Sequence, residues 1–277
     1  MNPAGAAARP GIPMKLLPLL AIPLALLAQS PGRKSAPPDP GGYGTLTFDD
    51  EFNGSQLDLS LWAPHDPWNQ TRDRQLQAYT PDSIRIADGQ LHLDARRTGK
   101  ANRVRYDGKD RDYVSGIVTT FGTFSQIYGR FEIRCRVPAG RGLHSRFSLM
   151  PVPLGPVPEI GVFEVAGSAP ARISFANHWG SEQTHRSFGD TFPGPNFSAG
   201  FHIVAVEWEP DRIAWFVDGK RMFQSDEGVP HQKMYLLLEL AVGGGLGLLP
   251  DESTPLPASF DIDYVRIYQR GAPSQGK

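Results

Sequence analysis

From Tyr43 onward, short apolar or alternating runs recur between turn signals, and nowhere does a helical period persist. Ser83-Ile-Arg-Ile-Ala-Asp-Gly followed by Gln90-Leu-His-Leu-Asp-Ala places Asp88-Gly89 between two alternating runs, the pattern of a two-residue hairpin turn. Ile213-Ala-Trp-Phe-Val leads into a second hairpin at Asp218-Gly219. Gly129-Arg-Phe-Glu-Ile-Arg-Cys-Arg-Val, Ile203-Val-Ala-Val-Glu-Trp and Phe260-Asp-Ile-Asp-Tyr-Val-Arg-Ile-Tyr read as further strands, the last of them closing the domain. Many short strands without an internal repeat predict an all-β, two-sheet antiparallel sandwich rather than a propeller or solenoid.

The ends of the chain follow a different pattern. Met14 to Ala28 has one lysine and then a 13-residue apolar stretch ending at a small residue, as expected of a secretory signal peptide and too short to span a bilayer comfortably. Residues 1–28 are therefore assigned to a cleaved signal with Met14 a candidate start, and 29–42 (QSPGRKSAPPDPGG) to a flexible linker. The globular domain is expected over 43–270, with a polar tail at 271–277. The product would be extracellular or periplasmic, with no stable membrane association after cleavage.

Composition narrows the function. Of 277 residues, 28 are basic and 29 acidic, so nothing favours nucleic acid, and a neutral ligand fits better. Thirty Gly and 26 Pro suit a chain of many turns. Cys135 is the only cysteine, which excludes an intrachain disulfide and a Cys-rich zinc site; within an alternating run it reads as a small core residue.

The candidate chemistry lies in Pro158-Glu-Ile-Gly-Val-Phe-Glu-Val-Ala-Gly167, where two acids interrupt an apolar run. In a regular strand Glu159 and Glu164 would point to opposite faces. One extra residue between 161 and 164, a β-bulge eased by Gly161, would bring both to one face. Four strand steps then separate them, about 13 Å between Cα atoms. Inward-leaning side chains would bring the carboxyls near the ~5–5.5 Å of a retaining glycosidase. Spacing alone equally allows one glutamate to be solvated on the outer face and the other to cap an edge.

Further phrases decide between these. Phe48-Asp-Asp-Glu-Phe-Asn-Gly54, Leu61-Trp62, Tyr128-Gly-Arg-Phe-Glu132, Pro138-Ala-Gly-Arg-Gly142, Leu149-Met-Pro151, Val206-Glu-Trp-Glu-Pro210, Leu240-Ala-Val-Gly-Gly244 and Asp263-Tyr-Val-Arg266 resemble, in order and spacing, glycoside hydrolase family 16, the laminarinase and β-glucanase family. The resemblance implies a concanavalin-like jelly roll with a concave substrate groove, with Glu159 as nucleophile and Glu164 as acid/base. It also implies a secreted endo-acting hydrolase of β-1,3 or mixed-linkage glucan, with polysaccharide or oligosaccharide as partner, working as a monomer. Substrate-binding candidates are His178, Trp179, His144, Arg74 and Glu239, and Trp68 could also face the cleft; Trp62, Trp208 and Trp215 are expected in the core. No cofactor is required, although the resemblance allows a structural calcium where Glu51 and Asp263 lie.

The chain departs from the family's pattern at its centre. Gly161 stands where the family has Asp, His144, Ser148 and Leu246 stand at family tryptophans, and Arg74, Gln75 and Glu239 replace Asn, Glu and Asn. Without the Asp charge Glu164 is expected to titrate lower. These departures leave two alternatives: a carbohydrate-binding or cell-wall module that kept the fold without the chemistry, and a transglycosylase.

Overall fold

The computed structural model describes residues 42–71, 74–181, 183–245 and 248–271. The expected signal, nearly all of the linker and residues 272–277 of the tail lie outside them, as does Leu246. Nearly all the regular structure of the described residues is strand, in two large, mainly antiparallel sheets. The ten-stranded sheet runs in the order β16 (Lys220–Ser225), β15 (Ile213–Val217), β14 (His202–Trp208), β9 (Gly129–Arg136), β18 (Ala258–Gln269), β4 (Gln90–Arg97), β7 (Tyr113–Ser115) and β2 (Gln77–Tyr79). β1 (Thr45–Asp50) also pairs with β18, and β3 (Ile84–Ala87) with β4. The six-stranded sheet runs β13 (Arg186–Pro193), β12 (Arg172–Trp179), β11 (Glu159–Ala166), β10 (Leu143–Pro151), β17 (Met234–Val242) and β8 (Ile117–Thr119). A small hairpin, β5 (Val104–Tyr106) with β6 (Lys109–Arg111), completes the set. Among the described residues no helix is long and apolar enough to cross a membrane.

This is the expected sandwich, and its turns have the expected chemistry. Asp88-Gly89 and Asp218-Gly219 take positive φ at both residues (54° and 69°; 49° and 79°), the backbone that a tight hairpin turn demands. Asp107-Gly108 does the same at the β5–β6 turn, a hairpin the apolar pattern missed because its strands are short and mostly charged. Between the sheets lies one continuous core holding Trp62, Trp208, Trp215 and Cys135, all placed there by expectation.

One local irregularity positions everything that follows. In β11 the core takes Ile160, Val162, Phe163 and Val165, two of them adjacent. A strand can bury two neighbours on one side only by inserting a residue, and the ladder does break there. Pairing with β10 runs Arg146–Glu164 and Phe147–Phe163, then Ser148–Gly161, and pairing with β12 breaks between Gly161 and Glu164. The apolar pair Val162-Phe163 is thus the physical cause of the bulge. Gly161 does not need an unusual φ; instead the irregularity turns its carbonyl to the buried Trp215 indole, which donates to it at 2.9 Å.

Candidate active site

Past the bulge, Glu159, Gly161 and Glu164 all open on the face of the six-stranded sheet turned away from the core. They line a groove of about 520 Å³, together with Arg146, Ser174, Phe175, Ala176, His178, Ser187, Gly189, Asp190 and Thr191. Cross-strand register arranges this surface in rows. One row runs Glu239, Arg146, Glu164, Ser174 and Thr191 across β17, β10, β11, β12 and β13. Another places His178 beside Glu159 and Ser187 beside His178.

β10 supplies the groove because its residues alternate. Leu143, Phe147 and Leu149 enter the core, while His144, Arg146 and Ser148 emerge on the other face. Ser148 donates to Glu159 Oε1 at 2.8 Å, and the Arg146 guanidinium lies 3.5 Å from the same oxygen. Arg146 turns its Nε to Glu239 at 2.8 Å, and Tyr79 donates to the other oxygen of Glu239. His144 Nε2 stands 3.4 Å from Glu164 Oε2, an ion-pair distance.

The two glutamates therefore sit in different fields. Burial alone would push Glu164 up, but His144 beside it and the positive charges of Arg146 and His178 hold it down to about 2. Burial likewise works against the charge of Arg146, yet Glu239, Glu159 and Glu164 surround it and keep it firmly protonated. Tyr79 is raised well above the usual phenol range by burial and by Glu239.

The sequence-predicted residues do not all converge. His178 lines the groove with its ring stacked on His185, centroids 5.3 Å apart. Glu239 is buried and reaches the groove only through Arg146. His144 is buried beside Glu164 rather than presented as a sugar-binding surface. Trp179 follows His178 and so turns to the opposite side of β12, where Gly228 leaves no room for a Cβ beside its ring; it is not among the groove's lining residues. Arg74 is exposed in a turn at φ 65°, Gln75 is buried in a bridge to Gly243, and neither lines the groove. Trp68, half-buried near Asp66, does not line it either.

Arg146 is the cation at the centre of the groove that sequence reasoning missed. The signal was present as His144, Arg146 and Ser148 at alternate positions of β10, which puts all three on the Glu159 side. At the proposed calcium position, Glu51 is held by Arg266 at 2.7 Å and Asp263 by Arg134 at 2.6 Å. Among the described residues no three His, Cys, Asp or Glu gather as a metal site, and both acids already face an arginine.

Residues 54–265 match the family model described as Glycosyl hydrolases family 16. The chain belongs to this family. Among its relatives is a glucan endo-1,3-beta-glucosidase A1 of Niallia circulans, 31% identical over 84% of this chain; the match spans only 39% of that longer protein. The catalytic domain of an endo-1,3-beta-glucanase (laminarinase) from Thermotoga petrophila superposes with a TM-score of 0.72 at 27% identity, covering 82% of this chain and 98% of that one. A LamA variant from Zobellia galactanivorans, in complex with laminaritriose and laminaritetraose, gives a TM-score of 0.73 at 25% identity, covering 82% of this chain and all of the other. The family 16 jelly roll is thus the fold of this protein, with the Glu159–Glu164 groove on its six-stranded sheet.

Proposed function

We propose that this chain is an exported, endo-acting glycoside hydrolase that cuts β-1,3 or mixed-linkage β-glucan by a retaining, two-glutamate mechanism. The observation that carries this reading is the bulge in β11, which turns Glu159 and Glu164 into one open groove. The family's glucanases give the substrate class.

Glu159 is the nucleophile in this reading. Ser148 and Arg146 grip one of its oxygens, which fixes the carboxylate for attack on the anomeric carbon. As that bond forms, the bond to the leaving oxygen breaks, and Glu164 gives that oxygen its proton. A water then attacks the glycosyl-enzyme, Glu164 takes the water's proton, and Glu159 is released with the anomeric configuration retained. His178 is placed to contact sugar hydroxyls beside Glu159. Neither residue needs a metal or cofactor for these steps.

Reduced activity is part of the proposal. A carboxyl held down to about 2 is rarely protonated at neutral pH, so the first step has a weak acid supply. The same observation favours a second reading, a glycan-binding module without turnover. Release of reducing ends from laminarin and mixed-linkage glucan between pH 4 and 8, beside Glu159→Ala, separates the two. Turnover by the native protein alone supports the hydrolase. Zero turnover by both, with retained glycan binding, supports the module.

A further inference from the structure

His144 is a buried imidazole to which the mechanism above gives no task, yet it lies 3.4 Å from Glu164. It stands on β10 two residues before Arg146, and both project on the Glu164 side of the sheet. The other charged or titratable groups facing the pair come from every neighbouring element. They are Arg146 from β10, Glu159 from the far end of β11, His178 from β12, Asp190 from β13, and, behind Arg146, Glu239 of β17 with Tyr79 of β2.

Resting on the proposed acid/base role of Glu164, we infer that His144 is a positioning residue acting through that carboxylate: its ring, 3.4 Å from Glu164 Oε2, favours the ionised carboxylate and so restrains the protonation of the leaving group. The sign follows from elementary electrostatics. A cation beside a carboxylate stabilises the charged form, whereas general acid catalysis needs the neutral form. Its effect is therefore the reverse of that of a carboxylate placed in the same surroundings. Glu164 is held down to about 2, so burial has been outweighed by its neighbours, and His144 at 3.4 Å is one of them. Removing the ring leaves Arg146 and His178 in place and leaves burial less opposed, so Glu164 rises.

Two consequences distinguish this from a packing role. Hydrolysis of unactivated linkages should gain from the loss of His144 in acidic buffer, by about ten-fold for each unit that Glu164 rises while it remains mostly ionised. Linkages with an acidic leaving group need little protonation, so the ratio of laminarin to dinitrophenyl glycoside turnover should rise. A merely structural histidine would instead depress both rates together.

The deciding experiment follows the side-chain carboxyl of Glu164 by carbon NMR in protein labelled at the glutamate δ-carbon, the resonance assigned with Glu164→Gln. In the native protein Glu164 should remain ionised at pH 4; in His144→Gln and in His144→Phe its midpoint should rise by at least one unit. Melting curves identify which variants are folded. A native Glu164 midpoint at or above the ordinary ~4.3, or a midpoint unmoved in a folded variant, overturns the inference. Because this readout needs no turnover, it is independent of the hydrolase reading. Loss of glycan cleavage in every form with a shifted midpoint would sink that reading and leave the His144–Glu164 linkage standing.

Discussion

The two faces of β10 and β11 share the same two strands but obey different rules. The inner face carries Leu143, Phe147, Leu149, Ile160, Val162, Phe163 and Val165, all packed in the core. The outer face carries His144, Arg146, Ser148, Glu159, Gly161 and Glu164, linked by ion pairs and one hydroxyl. Apolar burial is non-directional, so the inner face needs only the right pattern and volume. Charges taken out of water need specific partners, so the outer face depends on which residue stands at each position. The inner face creates the outer one here, since burying both Val162 and Phe163 forces the bulge that aligns the glutamates.

If the outer face carries the chemistry, its substitutions should act first on turnover. Glu159→Gln should abolish turnover on every substrate. Glu164→Gln should lose ~10²–10⁴-fold on unactivated glucan and much less on aryl glycosides, whose leaving group needs no proton. Rates on both substrates check this, and identical residual rates for the two variants would break the assignment of roles.

The inner face should answer in the opposite way. Phe163→Ala removes a fully buried ring from the core and should cost about 3–5 kcal/mol of stability, read from denaturant unfolding. The turnover of the folded fraction should then fall only as far as the bulge relaxes. A variant of native stability would mean that Phe163 does not hold the strand in place.

A smaller effect tests the field at Glu164 through stability. Its folded-state value lies below its unfolded one, so its contribution is present above the unfolded value and is lost as pH falls through about 2. The window from roughly pH 5 down to 2 should cost on the order of 3 kcal/mol in the native protein, and that part of the acid loss should be absent in Glu164→Gln. Unfolding free energies at pH 5 and pH 3 should capture about 2 kcal/mol of it. Equal acid losses in both proteins would show that the carboxylate is not stabilised by its neighbours.

The smallest change exchanges Gly161. A carboxylate there would stand between the two glutamates and raise Glu164, moving the descending limb of the rate profile toward neutral pH. The cost is steric: a Cβ at Gly161 would meet the Ala176 carbonyl oxygen at 3.2 Å, so Gly161→Asp should lose about 1–3 kcal/mol. A folded Gly161→Asp protein with an unshifted profile would show that the cations around Glu164 outweigh the added charge.

How much of this was legible follows from the same contrast. The sandwich, the Asp-Gly hairpins and the three core tryptophans could be read because they rest on periodicity and turn chemistry. The bulge could be read because two acids five positions apart share a face only with an inserted residue. Trp179 was misplaced because the pattern gives its residue type and not the side of β12 it shares with Gly228. Arg146 was overlooked and Glu239 taken for a contact residue because their pairing joins positions 93 residues apart, through a register that only the folded sheet reveals.

The most direct test of the central claim is to trap the glycosyl-enzyme. Incubation with a 2-deoxy-2-fluoro laminaribiosyl fluoride slows the second step more than the first, and tandem mass spectrometry of the digested protein locates the sugar. The account predicts one laminaribiosyl adduct, on Glu159, that is absent in Glu159→Gln. An adduct on Glu164, or none under conditions where the native protein cleaves laminarin, would contradict it.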